Sequence, residues 1–293
     1  MVFIFLSLIF YSHLDQEKKT KNNFYFLILQ RDRAVFNGLN SFIKYGQFDI
    51  QQNNDVPLLT ISELPKNLGE ITNNERKIFF IKSILPMVLF YNESILQQRQ
   101  KIILLRQESE SNKTLSQFDQ RWLSDISNYY QFSTRANFKD LLKRVDVIPV
   151  SLVLAQAALE TGWGNSNMAL GGNALFGQST WGKNGKTVSS TLADYHIRSF
   201  KNLGQALEAY MLNLNTHPAY EDFRQLRSFL RNNPKEPDIL DGARLIYTLD
   251  HYSEIGQDYI NRLQKIINDN NLLHFDYAKL YSTTGMNSLS YKN

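Results

Sequence analysis

The sequence contains no cysteine, which excludes disulfides, thiolate metal sites and a cysteine nucleophile. Histidine is sparse as well. His13, His196, His217, His251 and His274 are scattered, with no paired spacing on a helix, so no metal centre is expected. Neither charge sign is much in excess. A net charge of +4 with a pI near 9.0 suits a polyanionic partner or simply a mildly basic surface, and it lacks the clustered basic stripe of a nucleic-acid binder. No cofactor signature is found. "GNALFG" follows no alternating apolar strand, as a nucleotide-binding glycine loop would, and no serine-centred nucleophile elbow occurs. The chain also has no repeat of fixed period.

A long apolar run at the start is missing too. "MVFIFLSLIFYSHL" falls short of the roughly 20 residues that span a membrane. It resembles the apolar region of an export signal, without the basic residues that should precede it and without a small-x-small cleavage site. Residues 1–14 therefore read as a signal or membrane-anchor segment, or as a buried first strand or helix.

What is present is globular. The 293 residues are 43% hydrophobic and 20% charged, enough for a sizeable core. Residues 15–114 read as an N-terminal helical extension. Its apolar positions Ile78, Ile81, Ile84, Leu85, Ile95, Leu96, Ile102 and Leu105 keep helical spacing, with Pro86 expected to kink or split the helix. "QESESNKTLSQ" is the polar break before a main domain over 115–275. That domain is expected to be mainly α. Its helices carry Trp122, Leu123, Ile126 and Tyr129, then Phe138, Leu141, Leu142 and Val145, then Leu203 to Leu214, then Phe223, Leu226, Phe229 and Leu230, and finally Tyr259 to Ile267. "KTVSSTLADYHIRSF" offers one small β-hairpin, and residues 276–293 read as a loosely held polar tail.

One segment stands apart. Ile148 to Leu159 is almost uniformly apolar, with only Ser151 and Gln156 polar, and it ends in "ETGWG". A helix apolar all round is buried. Pro149 suits its start, and Gly162 suits a left-handed cap just past its end. Glu160 then sits in the last turn, where the helix dipole disfavours an anion and burial against Leu159 and Trp163 disfavours it further. Both effects raise its pKa. A carboxyl that keeps its proton near neutrality is what glycosidic cleavage needs at the leaving oxygen. The same carboxyl could instead hydrogen-bond loop backbone and fix the glycine-rich turn.

"ALETGWG", "GNALFG", "IRSF", "NTHPAY" and "HYSEIGQDYINRLQKII", taken in order, resemble the bacterial peptidoglycan β-N-acetylglucosaminidases of glycoside hydrolase family 73, in their Bax-like branch. The resemblance covers about Ser133–Asn270 and extends upstream through "NERKIFFIKSILPMVLFYNE". It implies a lysozyme-like helical fold, export to the periplasm or a membrane-anchored position facing the wall, and action on peptidoglycan glycan strands, with cleavage of glycosidic rather than amide bonds. It assigns Glu160 as general acid. It places Asn173 and Phe176 in the substrate-lining motif, where Asn173 offers an amide to a sugar hydroxyl or acetamido group and Phe176 an apolar face. Packing of the loop beneath Glu160 is the other role open to both. Trp163 reads as core, and Trp181 as an aromatic of the cleft wall.

The family's active-site tyrosine falls on Tyr252, although the Thr-Asp-Pro that normally follows is here Ser253, Glu254 and Ile255. Tyr220 is a second candidate, or else "HPAY" merely starts a helix. The larger departure is the second carboxylate. Phe176–Ile197 contains no Glu, and Asp194 is its only acid. An inverting enzyme needs a base about 6.5–9.5 Å from the acid. Without one, the substrate's own acetamido group takes that role, assisted by Tyr252. Two further outcomes stay open: a lytic transglycosylase, which also needs one acid, and a non-catalytic wall-binding or regulatory protein of the same fold.

Overall fold

The computed structural model describes residues 55–280, apart from 59, 133–136, 179–186, 190–195, 234, 236–238 and 253–255. Residues 1–14, Trp181 and Asp194 lie outside the described residues. Strand β1 (Asp55–Val56) opens the described chain, followed by helix α1 (Asn73–Glu110), α2 (Gln117–Tyr129), α3 (Phe138–Arg144), α4 (Val150–Thr161) and α5 (Asn167–Gly172). The hairpin β2 (Thr187–Ser189) and β3 (His196–Arg198) comes next. Helices α6 (Leu203–Thr216), α7 (Glu221–Asn232), α8 (Gly242–Leu245) and α9 (Gln257–Asp269) follow, and β4 (Lys279–Leu280) closes it. The fold is mainly α, as expected.

Most helix starts are written locally. Thr72, Ser116, Asn137, Ser166, Asn202 and Asp241 each accept a backbone N–H of the first turn of α1, α2, α3, α5, α6 and α8. At α1 the cap is reciprocal: the Glu75 carboxylate accepts from the Thr72 N–H at 3.1 Å. Losing such a cap costs about 1 kcal/mol. Helix α4 has no such cap of its own, because Pro149 stands at that position. A distant residue supplies it. Asp276 accepts from the Ser151 N–H at 2.8 Å and from the Ser151 hydroxyl at 2.7 Å, and Gly242 N–H reaches it at 3.3 Å. Burial pushes the Asp276 carboxyl up to about 6.

Asp276 belongs to the segment read from the sequence as a polar tail. That reading fails for residues 276–280. Phe275 is buried, Asp276 holds α4, and β4 pairs in parallel with β1, Asp55 opposite Lys279 and Val56 opposite Leu280. Nor does a boundary near residue 114 separate two cores. Phe80, Ile84, Leu85 and Val88 of α1 belong to the same apolar cluster as Leu152, Val153 and Leu154 of α4 and Leu207 of α6. Full burial of each such side chain contributes about 1.5–3 kcal/mol. Helix α1 is also long and apolar enough to cross a membrane, but most of its apolar stretch is covered by the rest of the protein. Pro86 does not split it; the helix runs unbroken from Asn73 to Glu110.

The face of α7 differs from the expected one. Phe223 and Leu230 are buried, but Phe229 is 61% exposed, and Arg224 and Arg227 take the inner positions. The reason is the C-terminal end of α3, whose free carbonyls need donors. Arg227 donates to the carbonyls of Lys143 (2.7 Å), Val147 (3.0 Å) and Asp146 (3.1 Å), and to Asn215 Oδ1 (2.7 Å). Burial brings its guanidinium down to about 10. Arg231 grips the buried Asp146 carboxylate through two bonds of 2.7 Å, with Arg99 of α1 at 3.5 Å from the same group. This cluster ties α1, the end of α3 and α7 together.

Candidate active site

Helix α4 is the axis of the site. Every residue from Val150 to Ala158 is buried, and the helix packs on α1, α9 and the 3-10 segment Leu272–Tyr277. It ends at Gly162 in the left-handed conformation, φ 57° and ψ 45°, as the sequence suggested. Glu160 is therefore delivered at the mouth of an apolar helix, partly buried. Burial pushes its carboxyl above the ordinary range, opposed in part by the nearby Tyr259 hydroxyl.

The loop after α5 closes over that carboxyl. Asn173 caps α5 in the left-handed region (φ 52°), and its side-chain amide donates to the Phe200 carbonyl at 3.2 Å. Phe200 N–H in turn donates to Gly172 O at 2.8 Å, and Arg198 N–H to Gln178 O at 2.8 Å. The hairpin end is thus pinned to the loop. β2 and β3 pair antiparallel, with Val188 opposite Ile197. Gly177, at φ 58°, then passes directly over Glu160: a methyl built on it would lie 2.9 Å from Glu160 Oε2. Glycine takes that angle without strain and leaves room for the carboxyl.

Aromatic rings support the loop from below. Phe176 is buried and stacks on Tyr210 of α6 with ring centroids 3.8 Å apart and planes 8° apart. Tyr252, in the 3-10 turn Asp250–Tyr252, donates its hydroxyl to the Phe176 carbonyl at 3.0 Å. Its ring lies nearly parallel to Tyr259 (centroids 5.4 Å, planes 15°) and 6.0 Å from Tyr220. Tyr220 is 8% exposed and ends the 3-10 turn Pro218–Tyr220 that leads into α7. Trp163 packs edge-on against Phe80 at 5.9 Å, with the Lys77 ammonium 5.1 Å from its ring centre.

The structure thus brings Glu160, Phe176, Tyr220 and Tyr252 together and sets Asn173 at the base of the same loop. Three participants were not singled out in the sequence: Gln156, Tyr210 and Tyr259. Gln156 had a visible signal. It is one of two polar residues in the apolar run and lies one turn before Glu160. It donates to the Tyr259 hydroxyl at 2.8 Å and accepts from the Tyr210 hydroxyl. Burial raises the Tyr210, Tyr252 and Tyr259 phenols, so all three are neutral at any pH of interest. The other polar residue of the run, Ser151, is the partner of Asp276.

A mainly helical fold with one small hairpin, carrying a carboxyl raised by burial at a helix end, is consistent with the lysozyme-like glycosidases. Residues 135–272 match the family model described as mannosyl-glycoprotein endo-beta-N-acetylglucosaminidase. The chain belongs to the glucosaminidase family, in its Bax-like branch. It is 31% identical to Protein bax of Escherichia coli (strain K12) over 217 residues, 72% of this chain and 76% of that protein. No solved structure matches.

Proposed function

We propose that the protein is an exported endo-β-N-acetylglucosaminidase that cleaves β-1,4 bonds of peptidoglycan glycan strands, with Glu160 as general acid. The observation that carries this reading is the Glu160 carboxyl itself: raised by burial, ending an apolar helix, and met by the left-handed Gly177 and by Tyr259. It gives its proton to the glycosidic oxygen as the bond to C1 breaks.

Tyr252 has a matching part. Its proton is committed to the Phe176 carbonyl, which leaves the phenol oxygen as an acceptor. That oxygen suits the N–H of an acetamido group or the positive charge that develops at C1. Phe176–Ile197 carries no Glu and only one acid, Asp194; our reading is therefore attack on C1 by the acetamido oxygen of the substrate rather than by a base-activated water, with Asp194 in a minor role. Asn173, Tyr220 and Trp181 are assigned to the glycan-binding surface, Asn173 and Tyr220 through the loop and turn that they hold.

Mass spectrometry of muropeptides from peptidoglycan incubated with the purified protein tests the proposal. Reducing N-acetylglucosamine ends, lost in Glu160→Gln by at least about 10²-fold and only slightly reduced in Asp194→Asn, are expected. Anhydromuramyl ends would make the protein a lytic transglycosylase. Bound but intact glycan would make it a wall-binding protein.

A further inference from the structure

Three guanidiniums gather around one carboxylate where α1, the end of α3 and α7 meet. Arg231 holds Asp146 through Nε and Nη2 at 2.7 Å each, and Arg99 Nη1 lies 3.5 Å from the same carboxylate. Arg227, fully buried beside them, gives its Nη atoms to backbone carbonyls and to Asn215 Oδ1. Its Nε has no acceptor among the described residues. Donors and positive charge are therefore both in excess. The charges feel it: burial lowers the Arg99 guanidinium, Asp146 opposes this, and Arg231 and Arg106 reinforce it.

The excess opens to the surface. A groove of about 570 Å³ runs between α1 and α7, within the size range of small-ligand sites. Arg99 and Arg231 line it, with side chains 11% and 22% exposed. The two bonds from Arg231 to Asp146 use Nε and Nη2, so its Nη1 group, with two N–H donors, takes part in neither. Leu96 and Ile103 add apolar wall, and Gln97, Gln100 and Asn232 add side-chain amides. Asp146 precedes the start of α4, whereas Glu160 sits at its other end, about 15 Å further along the helix at 1.5 Å per residue. The groove is thus separate from the candidate active site.

We infer that this groove binds a short peptide by its free terminal carboxylate, which pairs with Arg99 and Arg231. Guanidiniums meet a planar carboxylate edge to edge, as Arg231 already meets Asp146, and a second carboxylate would offset the surplus charge. The chain behind that carboxylate finds the amides of Gln97, Gln100 and Asn232 for its backbone and the wall of Leu96 and Ile103 for a small aliphatic side chain. Inorganic phosphate would use the guanidiniums but neither the amides nor the wall. An uncharged sugar would leave the surplus charge unmatched.

Titration calorimetry of the full chain with acetyl-trialanine tests the site, using the free acid, its C-terminal amide, and the free acid ending in D-alanine. The acid should bind at least about tenfold more tightly than the amide, the worth of a charged hydrogen-bonded pair. Gln100→Glu puts a carboxylate of the protein's own into the groove without touching Asp146. It should weaken binding of the acid by about tenfold or more, with the urea midpoint unchanged. Arg231→Lys, which keeps the charge and loses the fork, should also weaken it; if that variant does not fold, Gln100→Glu carries the test. Preference for the D-alanine form identifies a wall peptide as the source of the carboxylate, and preference for the L form a protein terminus. Equal affinity for acid and amide, binding untouched by Gln100→Glu, inorganic phosphate binding as tightly as the peptide acid, or no binding of any peptide at millimolar concentration would overturn the inference. Glu160→Gln should bind the acid as wild type does, so loss or retention of glycosidase activity decides the general-acid reading alone.

Discussion

Gly177 lies against the carboxyl of Glu160, so close that a methyl on its α-carbon would sit 2.9 Å from Oε2 and 3.6 Å from Cδ. The contact makes the glycine-rich loop part of the acid's environment, since it covers the carboxyl without a side chain. Gly177→Ala must therefore either push Glu160 aside or unwind the loop, and it also places an L-residue at φ 58°. A destabilisation of about 1–2 kcal/mol from the left-handed backbone is expected. The drop in kcat should be larger, on the order of 10²-fold, because a misplacement near 1 Å has that effect. Thermal unfolding and steady-state kinetics on a soluble glycan fragment read the two effects separately. Unchanged kcat in a folded Gly177→Ala would mean that the loop does not position the acid.

Tyr252 is bound to the same loop through one hydroxyl. In Tyr252→Phe the Phe176 carbonyl loses its donor while the ring contacts with Tyr259 and Tyr220 remain. The expected cost in stability is small, about 0.5–1.5 kcal/mol for one hydrogen bond. Activity should fall well beyond what that predicts if the phenol oxygen faces the reacting sugar. Urea unfolding and kcat/KM are the measurements, and equal, small effects on both would reduce Tyr252 to a loop latch.

The helices were legible because their apolar positions recur at spacings of three and four, and that pattern is local. Leu203, Ala206, Leu207, Tyr210, Met211 and Leu214 are buried on α6 as their spacing requires. Gly162 announced the end of α4 by a requirement that few other residues meet. What the sequence concealed depends on partners far along the chain. Gln156 meets Tyr259 across 103 positions and Ser151 meets Asp276 across 125, so neither pairing leaves a periodic trace. Phe229 was misread for a related reason. Its hydrophobicity pointed inward, but the carbonyls at the end of α3 required the guanidinium of Arg227 on that side.

Asp146 should prove the most sensitive charge in the protein. It is buried, it binds Arg231 twice at 2.7 Å, and its backbone carbonyl accepts from Arg227 and Asn215. Asp146→Asn keeps the shape but leaves the Arg99, Arg227 and Arg231 charges without their carboxylate. Breaking a buried pair in this way costs about 3–5 kcal/mol. Equilibrium urea unfolding should show a lower midpoint by that amount, with the site's chemistry intact in the fraction that remains folded. A loss under 1 kcal/mol would mean that the backbone carbonyls alone satisfy the arginines.

Stability should also depend on pH in a direction set by Asp276. Its carboxyl rises from 3.8 to about 6 on folding because burial outweighs the three hydrogen bonds that it accepts. The folded state therefore binds the proton more tightly than the unfolded state does. Its contribution is greatest below 3.8 and declines as pH rises to about 6, where it levels off. At 1.36 kcal/mol per unit, the decline is at most about 3 kcal/mol. Glu160, also raised by burial, adds loss of the same sign, beginning near its unfolded value. Asp276→Asn removes the first contribution and leaves the second. Urea midpoints measured from pH 4 to pH 7 should fall steeply in wild type and less steeply in Asp276→Asn. Identical slopes in the two proteins would show that Asp276 titrates folded much as it does unfolded, and that the cap on α4 carries its charge without penalty.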